Sequence, residues 1–404
     1  MRKNYLFGAT AEMHVTTKII DAKTGKVVGG NRRRRNLILD QGLNCMALKG
    51  GVTNLAGASP AGCFTNIVIG SGTNPTSVAS GAITFTQTGT TVTASGGFFT
   101  AGMVGSIFKY GTGTAGAEYY ITVFTNTTTV TVDTSATVAV PTVATVWNVQ
   151  QTALQTLITP TGTKTYQTSA GDCGTTFSTP NAVHKRTFII PQQAAPYTVN
   201  EIGYGSSAVT SNANVVTGRI VLSSSDVVGT SNFYLVILEL TITYSPATPT
   251  AVGNVGTNIN TAGNAMFENF TGLATVGSTG TVVTGSSNFA LDGSNSGNLQ
   301  FMTSNYTQNS AIDTNNTPTI VALNVGSPVT GAYLAASRGV LQWSYSGSTS
   351  TSGQTLYGMG IGKSTSPNNN PGFDVKFTTP QTAPTGTFQP LTVIQLTYGR
   401  ILTN

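Results

Sequence analysis

Asn31-Arg-Arg-Arg-Arg-Asn-Leu-Ile-Leu-Asp-Gln-Gly-Leu-Asn44 holds the densest charge in the chain and its clearest helix signal. Asp40 can cap the exposed N–H groups of a first turn, and Leu43, Met46 and Ala47 follow at helical spacing. Gly50-Gly51 ends the segment, so one short helix is predicted over residues 40–48. Upstream, residues 10–29 alternate apolar and polar, and Asp21–Lys26 reads as a turn. The stretch thus joins a basic hairpin to whatever lies beyond the helix.

Beyond the helix the charge almost disappears. Residues 1–50 carry ten Lys or Arg and three Asp or Glu, a net of +7; the whole chain carries 19 and 13, so residues 51–404 have a net of −1. Charged residues make up 8% of the 404, against a usual quarter. Disorder is argued against by a hydrophobic share of 39% and by Val and Ile in short alternating runs. A surface with so little charge is poorly protected from association and suits a protein covered by neighbours.

Turn-bounded runs recur along this body. Strands are predicted in 83–85, 104–109, 119–124, 128–132 and 144–149, a self-contained β module that Trp147 closes. Lys185–Ile190, Tyr197–Tyr204 and Phe233–Tyr244 follow, the last being the strongest strand signal of all. Ser245-Pro-Ala-Thr-Pro-Thr250 reads as a linker. Six further strands are expected near 299–302, 319–324, 340–345, 355–361, 373–377 and 391–400. The expected fold is all-β, mainly antiparallel sandwich or small-barrel units, with the one short helix. Its expected parts are a basic N-terminal arm and hairpin (1–35), a first β domain (36–82 and 148–245), the inserted module (83–147) and a C-terminal β domain (246–404).

Chemistry is sparse. His14 and His184 are the only histidines, they lie in separate β segments, and neither accompanies a nucleophile-elbow serine. Cys45, Cys63 and Cys173 are widely spaced and form neither a disulfide framework nor a zinc pattern. Glu201, Glu239, Glu268 and Asp292 are the carboxylates a glycosidase would draw on, but no spacing selects a pair. Gly358-Met-Gly-Ile-Gly-Lys-Ser-Thr365 imitates a phosphate loop, yet Tyr357 stands where its first glycine belongs. No catalytic, cofactor-binding or metal-binding residue is assigned, and no enzyme is expected. Tyr333, Trp343, Tyr345 and Tyr357 could make a sugar-stacking face, or serve as core and strand-face pairs. Arg32, Arg33, Arg34 and Arg35 admit three readings: a nucleic-acid contact, a docking contact to an acidic protein, or a solvated strand edge. Docking is preferred, because the body adds no basic track for a phosphate backbone. No run approaches the roughly 18 apolar residues of a membrane span, and Met1–Gly8 lack the apolar core of a signal peptide, so membrane insertion is not expected and synthesis in the cytoplasm is.

Four segments together resemble bacteriophage tail and tail-fibre-associated proteins. Asn36-Leu-Ile-Leu-Asp-Gln-Gly-Leu-Asn44 is similar to an opening in which a strand enters a short helix. Ile67–Pro75, Thr198-Val-Asn-Glu-Ile-Gly-Tyr204 and Phe233–Tyr244 resemble the segments that follow, in that order, over about residues 30–245. The resemblance implies a virion structural protein of the tail, collar or fibre apparatus that binds other virion proteins, forms a homo-oligomer and supplies no catalytic residues. A capsid decoration protein and a carbohydrate-binding adhesin that contacts a host surface glycan are the alternatives.

Overall fold

The computed structural model describes residues 7–47, 66–111, 117–151, 153–161, 165–166, 174–178, 181–205, 216–245, 250–255, 257–259, 270–276, 298–303, 305, 320–322, 340–346, 354–362, 373–382 and 390–402. The protein is all-β, mostly antiparallel, with a single short α-helix among those residues.

Alternation dictates the first hairpin. In β1 (Phe7–Asp21), Ala11, Met13, Val15, Thr17 and Ile19 are buried while the residues between them stay half-exposed. β2 (Val27–Ile38) returns antiparallel to it and runs through Leu39 into α1 (Asp40–Ala47). Gly42 explains the glycine of the quoted stretch: a Cβ there would stand 2.1 Å from the Thr217 carbonyl oxygen, so the helix settles on that backbone only with glycine. β3 (Asn66–Gly70) comes next.

Around the module expected at 83–147 lies a six-stranded sheet that also takes in Ser77–Ala79. Its strands are β4 (Ser77–Ala79), β5 (Phe85–Ala94), β6 (Ile107–Tyr110), β7 (Tyr119–Asn126), β8 (Thr129–Thr142) and β9 (Ala144–Trp147), ordered β4-β9-β6-β7-β8-β5. Phe85, Phe98, Phe99 and Phe108 meet edge-on or tilted with ring centroids 5.1–6.0 Å apart and form its centre. β5 and β8 run far beyond the segments expected from the sequence. Their Thr-rich halves pair with each other and lack the apolar alternation that reveals a strand.

The chain then adds β10 (Leu157–Ile158), β11 (Thr165–Tyr166), β12 (Gly174–Ser178), β13 (Asn181–Ile190), β14 (Tyr197–Gly205), β15 (Gly218–Val228) and β16 (Asn232–Ser245). Past the linker lie β17 (Thr250–Val255), β18 (Thr257–Ile259), β19 (Phe270–Val276), β20 (Asn298–Met302), β21 (Ile320–Ala322), β22 (Val340–Ser346), β23 (Thr355–Gly362), β24 (Phe373–Thr382) and β25 (Pro390–Arg400). The main sheet has thirteen strands and curls into a half-barrel, with the path β10-β3-β14-β15-β2-β1-β16-β13-β11. β12 lies on β13, β25 pairs parallel with the start of β1, and β18 and β22 pair with β25. A second six-stranded sheet, β17-β19-β24-β23-β20-β21, completes the described chain.

Two expected divisions take a different form in the fold. The segment read as a basic arm belongs to the main sheet: β1 has β16 on one edge and β25 then β2 on the other, and β2 pairs with β15 only at Leu37 and Ile38. The arginines lie on the part of β2 that β15 leaves unpaired, and acidic residues of β16 and β1 face Arg33 and Arg35. The boundary expected at residue 246 does not separate sheets, since β18, β22 and β25 belong to the main one. One buried cluster ties the parts together: Leu37, Leu39, Val68 and Val216 of the main sheet region pack with Ile107, Tyr120 and Trp147 of the module and with Leu402. Trp147 therefore joins the module to the body as well as closing it.

Candidate functional site

The four arginines occupy consecutive positions of β2, paired with β1 on one side, so alternate side chains face opposite sides of the sheet. Which pair faces which way is set just upstream. Thr17 pairs with Arg32 and Lys18 with Gly30, so Asn31 is an extra residue bulged out of the ladder. Gly30 and Asn31 both take positive φ, 70° and 53°.

Arg33 and Arg35 lie on the outer face, over half exposed. Arg33 Nε stands 3.1 Å from Glu239 Oε2, and Arg35 Nε 2.8 Å from Glu12 Oε1. The register extends this into a row across four strands: Arg35 of β2 opposes His14 of β1, His14 opposes Glu239 of β16, and Glu239 opposes Lys185 of β13. Opposite charges on adjacent strands attract, and each exposed pair contributes roughly 0.2–1 kcal/mol. His14 also stands 3.7 Å from Glu12. Partial burial, then Arg33, hold its pKa below the usual imidazole value, against the opposing pull of Glu12.

Arg32 and Arg34 take the other side. Arg32 donates to the Ser224 hydroxyl of β15, and Arg34 Nη1 donates to Thr17 Oγ1 at 3.3 Å. Here the sheet opens. β2 and β15 pair only at Leu37–Arg219 and Ile38–Gly218, then part around a cavity of about 390 Å³ lined in part by Arg34, Arg35, Thr76, Arg219 and Ser223.

Below the cavity is a buried ion pair that the sequence did not announce. Glu201 and Arg219 are both fully enclosed, with Nη2 2.6 Å and Nε 2.8 Å from Glu201 Oε2. The carboxylate also accepts from the backbone N–H groups of Gly72 (3.2 Å), Gln155 (3.2 Å) and Thr156 (2.9 Å). Gln155 Oε1 in turn accepts from Thr73 and Asn74 N–H, both at 2.9 Å. These bonds clamp the two points where the chain leaves for the inserted module and comes back. The mate of Glu201 is thus a cation, Arg219 on β15, and not a second carboxylate. The one available signal was Arg219 itself, a lone charge inside the apolar run that ends at Leu222.

The remaining candidates are dispersed. His184 is buried on the inner face beside Leu240. Trp343 and Tyr345 lie on β22 of the main sheet, opposite Ile394 and Thr392, whereas Tyr357 lies on β23 of the second six-stranded sheet. Tyr333, Glu268, Asp292, Cys63 and Cys173 lie outside the described residues, as does much of the phosphate-loop imitation, whose Gly358–Gly362 is part of β23. No group of three or more His, Cys, Asp or Glu is placed to hold a metal among the described residues, and no described helix is long and apolar enough to cross a membrane. No family model, curated protein or solved structure matches the chain. The class of protein that fold and site define is therefore an all-β chain with a charged outer sheet face and an opened seam beside it.

Proposed function

We propose that this chain is a non-catalytic structural subunit of a bacteriophage virion, in the tail, collar or fibre apparatus, and that it docks onto neighbouring virion subunits through the outer face of its main sheet. The observation that carries the reading is the cross-strand row Arg35, His14, Glu239 and Lys185, flanked by Arg33 and Glu12. It gives a charge-poor protein one face whose pattern of sign a partner can match, and such matching sets partner choice and register more than raw affinity. The four segments that resemble tail proteins support the reading further. They become β2 with α1, β3, β14 and β16, all in the main sheet.

Antibody labelling and peptide counting on purified particles test this. A few copies per particle at a tail site are expected, and absence from purified particles overturns it. A copy number matching the capsomers would move the subunit to the capsid shell. The Arg33→Glu/Arg35→Glu double variant should fold and yet incorporate at least tenfold less, since like charge now meets whatever acidic surface receives the row.

A further inference from the structure

We propose that the free edge of β2, from Val27 to Arg35, takes up an extended acidic segment of a neighbouring subunit as an added β-strand. The docking reading above supplies the neighbour; the edge itself follows from the fold.

A strand has two hydrogen-bonding edges, and β2 uses only one of them along most of its length. Its pairing with β1 runs from Val27 to Asn36, whereas β15 pairs with it only at Leu37 and Ile38. Among the described residues, no backbone hydrogen bond joins Val27–Asn36 to anything but β1. Burial agrees. Not one residue of Val27–Arg35 is buried, and burial begins at Asn36, where β15 closes in. Across the gap Ser223, Ser224 and Ser225 of β15 are exposed too, and the hydrogen bond that spans it, Arg32 to Ser224, is made by side chains. Unused N–H and C=O groups along a strand edge are a template for another strand, and β2 has no proline to spoil it.

Charge selects the occupant. Arg33 and Arg35 hold carboxylates yet stay 58% and 55% exposed, while Glu239 and Glu12 are only 31% and 20% exposed, so the edge presents cations. A second copy pairing edge to edge would bring two runs of four arginines together, and like charges on adjacent strands repel. The arginines thus close this edge to its own kind and open it to acidic side chains. Val27 and Val28, 47% and 58% exposed, extend it with apolar surface. The fitting segment therefore carries acidic residues opposite Arg33 and Arg35 and β-branched apolar ones opposite the valines.

Fluorescence polarisation of a labelled short peptide, Glu-Thr-Glu-Thr-Val-Thr-Val-Thr, on the full chain tests this. Saturable binding is expected, at least tenfold stronger than with Lys in place of Glu, and weakened at least tenfold by Arg33→Gln/Arg35→Gln. Methylating one alternate set of the peptide's backbone nitrogens must abolish binding, because those N–H groups bond β2. Absence of saturable binding overturns the proposal. So does equal binding by the parent and both methylated peptides, which would mean capture by charge without a strand. If the chain alone sediments as a dimer that must dissociate before the peptide binds, a second copy is the occupant and the proposal falls. The methylated peptides are read on the wild-type chain, so the test stands even where the arginine variant fails to fold. It also needs no particle: its failure strikes strand addition alone, and the virion reading stands or falls by particle labelling.

Discussion

His184 shows at the scale of one residue how a fold without an assigned reaction still carries measurable chemistry. It sits on the inner face of β13, opposite Thr175 of β12 and Leu240 of β16. Burial, and secondarily the charge of Arg186, push its pKa down to about 4 from an ordinary 6.5. The sign of the consequence follows. Above about pH 6.5 the imidazole is neutral in both folded and unfolded chains, and the fold keeps its full stability. As pH falls from there to about 4, the unfolded chain takes up a proton that the folded chain refuses. Stability is then lost at about 1.4 kcal/mol per pH unit, on the order of 3 kcal/mol in all. Urea midpoints of wild type and His184→Gln, compared at around pH 7 and about pH 4.5, should show the wild type losing the more stability on acidification. Equal losses would mean that His184 is protonated in the folded protein.

At the scale of the element, the bulge at Gly30–Asn31 decides what the arginine strand presents. Strand side chains alternate with period two, so one extra residue exchanges the faces of everything beyond it. With Asn31 bulged, Arg33 and Arg35 reach Glu239 and Glu12, and Arg32 and Arg34 turn toward the seam. Gly30 has φ 70°, and a Cβ there would stand 2.9 Å from the Thr17 carbonyl oxygen. Gly30→Ala should therefore cost about 1–3 kcal/mol in thermal or urea unfolding, whereas Gly25→Ala, in the open turn with nothing near a Cβ, should suffer only the backbone strain of its own positive φ. Equal costs at the two sites would remove the close approach as the reason for Gly30. The hairpin, α1, β14, β16 and every expected strand after residue 298 were legible, because hydrophobic alternation and turn residues mark them. The face taken by each arginine was not, since a bulge adds a residue without altering composition. β15 was missed for a related reason. Its outer half, Ser223–Asp226, is polar, and its buried Arg219 reads as a break in the apolar pattern although Glu201 neutralises it.

At the scale of the whole molecule, one arginine near the end of the described chain fastens three distant parts of it. Arg400, the last residue of β25, donates from Nη1 to the Ile38 carbonyl at 2.7 Å. Its Nη2 donates to the Asp40 carboxylate at the start of α1 and to the Tyr120 hydroxyl of the module at 3.1 Å. The guanidinium is 2% exposed, and burial pushes the Tyr120 hydroxyl up to about 12 although Arg400 pulls it down. β25, the helix and the module therefore share one buried charge pair, next to the apolar cluster that contains Leu402 and Trp147. Removing only the cation takes from the buried Asp40 carboxylate its partner of opposite charge, which costs about 3–5 kcal/mol for pairs of this kind. Removing both charges leaves no bare ion, and an apolar pair of similar volume is often neutral or even stabilising. Trp147 reports on this junction once the other tryptophan is replaced, so the experiment uses a Trp343→Phe background and follows fluorescence and circular dichroism together. Arg400→Met should move the Trp147 transition to lower urea by the equivalent of about 3 kcal/mol, and Arg400→Met/Asp40→Leu should recover at least half of that loss. If the pair couples the parts, the loss appears in both signals at one midpoint. A Trp147 transition that stays in place while only the dichroism shifts would show that β25 comes away without disturbing the module, and the fastening would then be local to the helix.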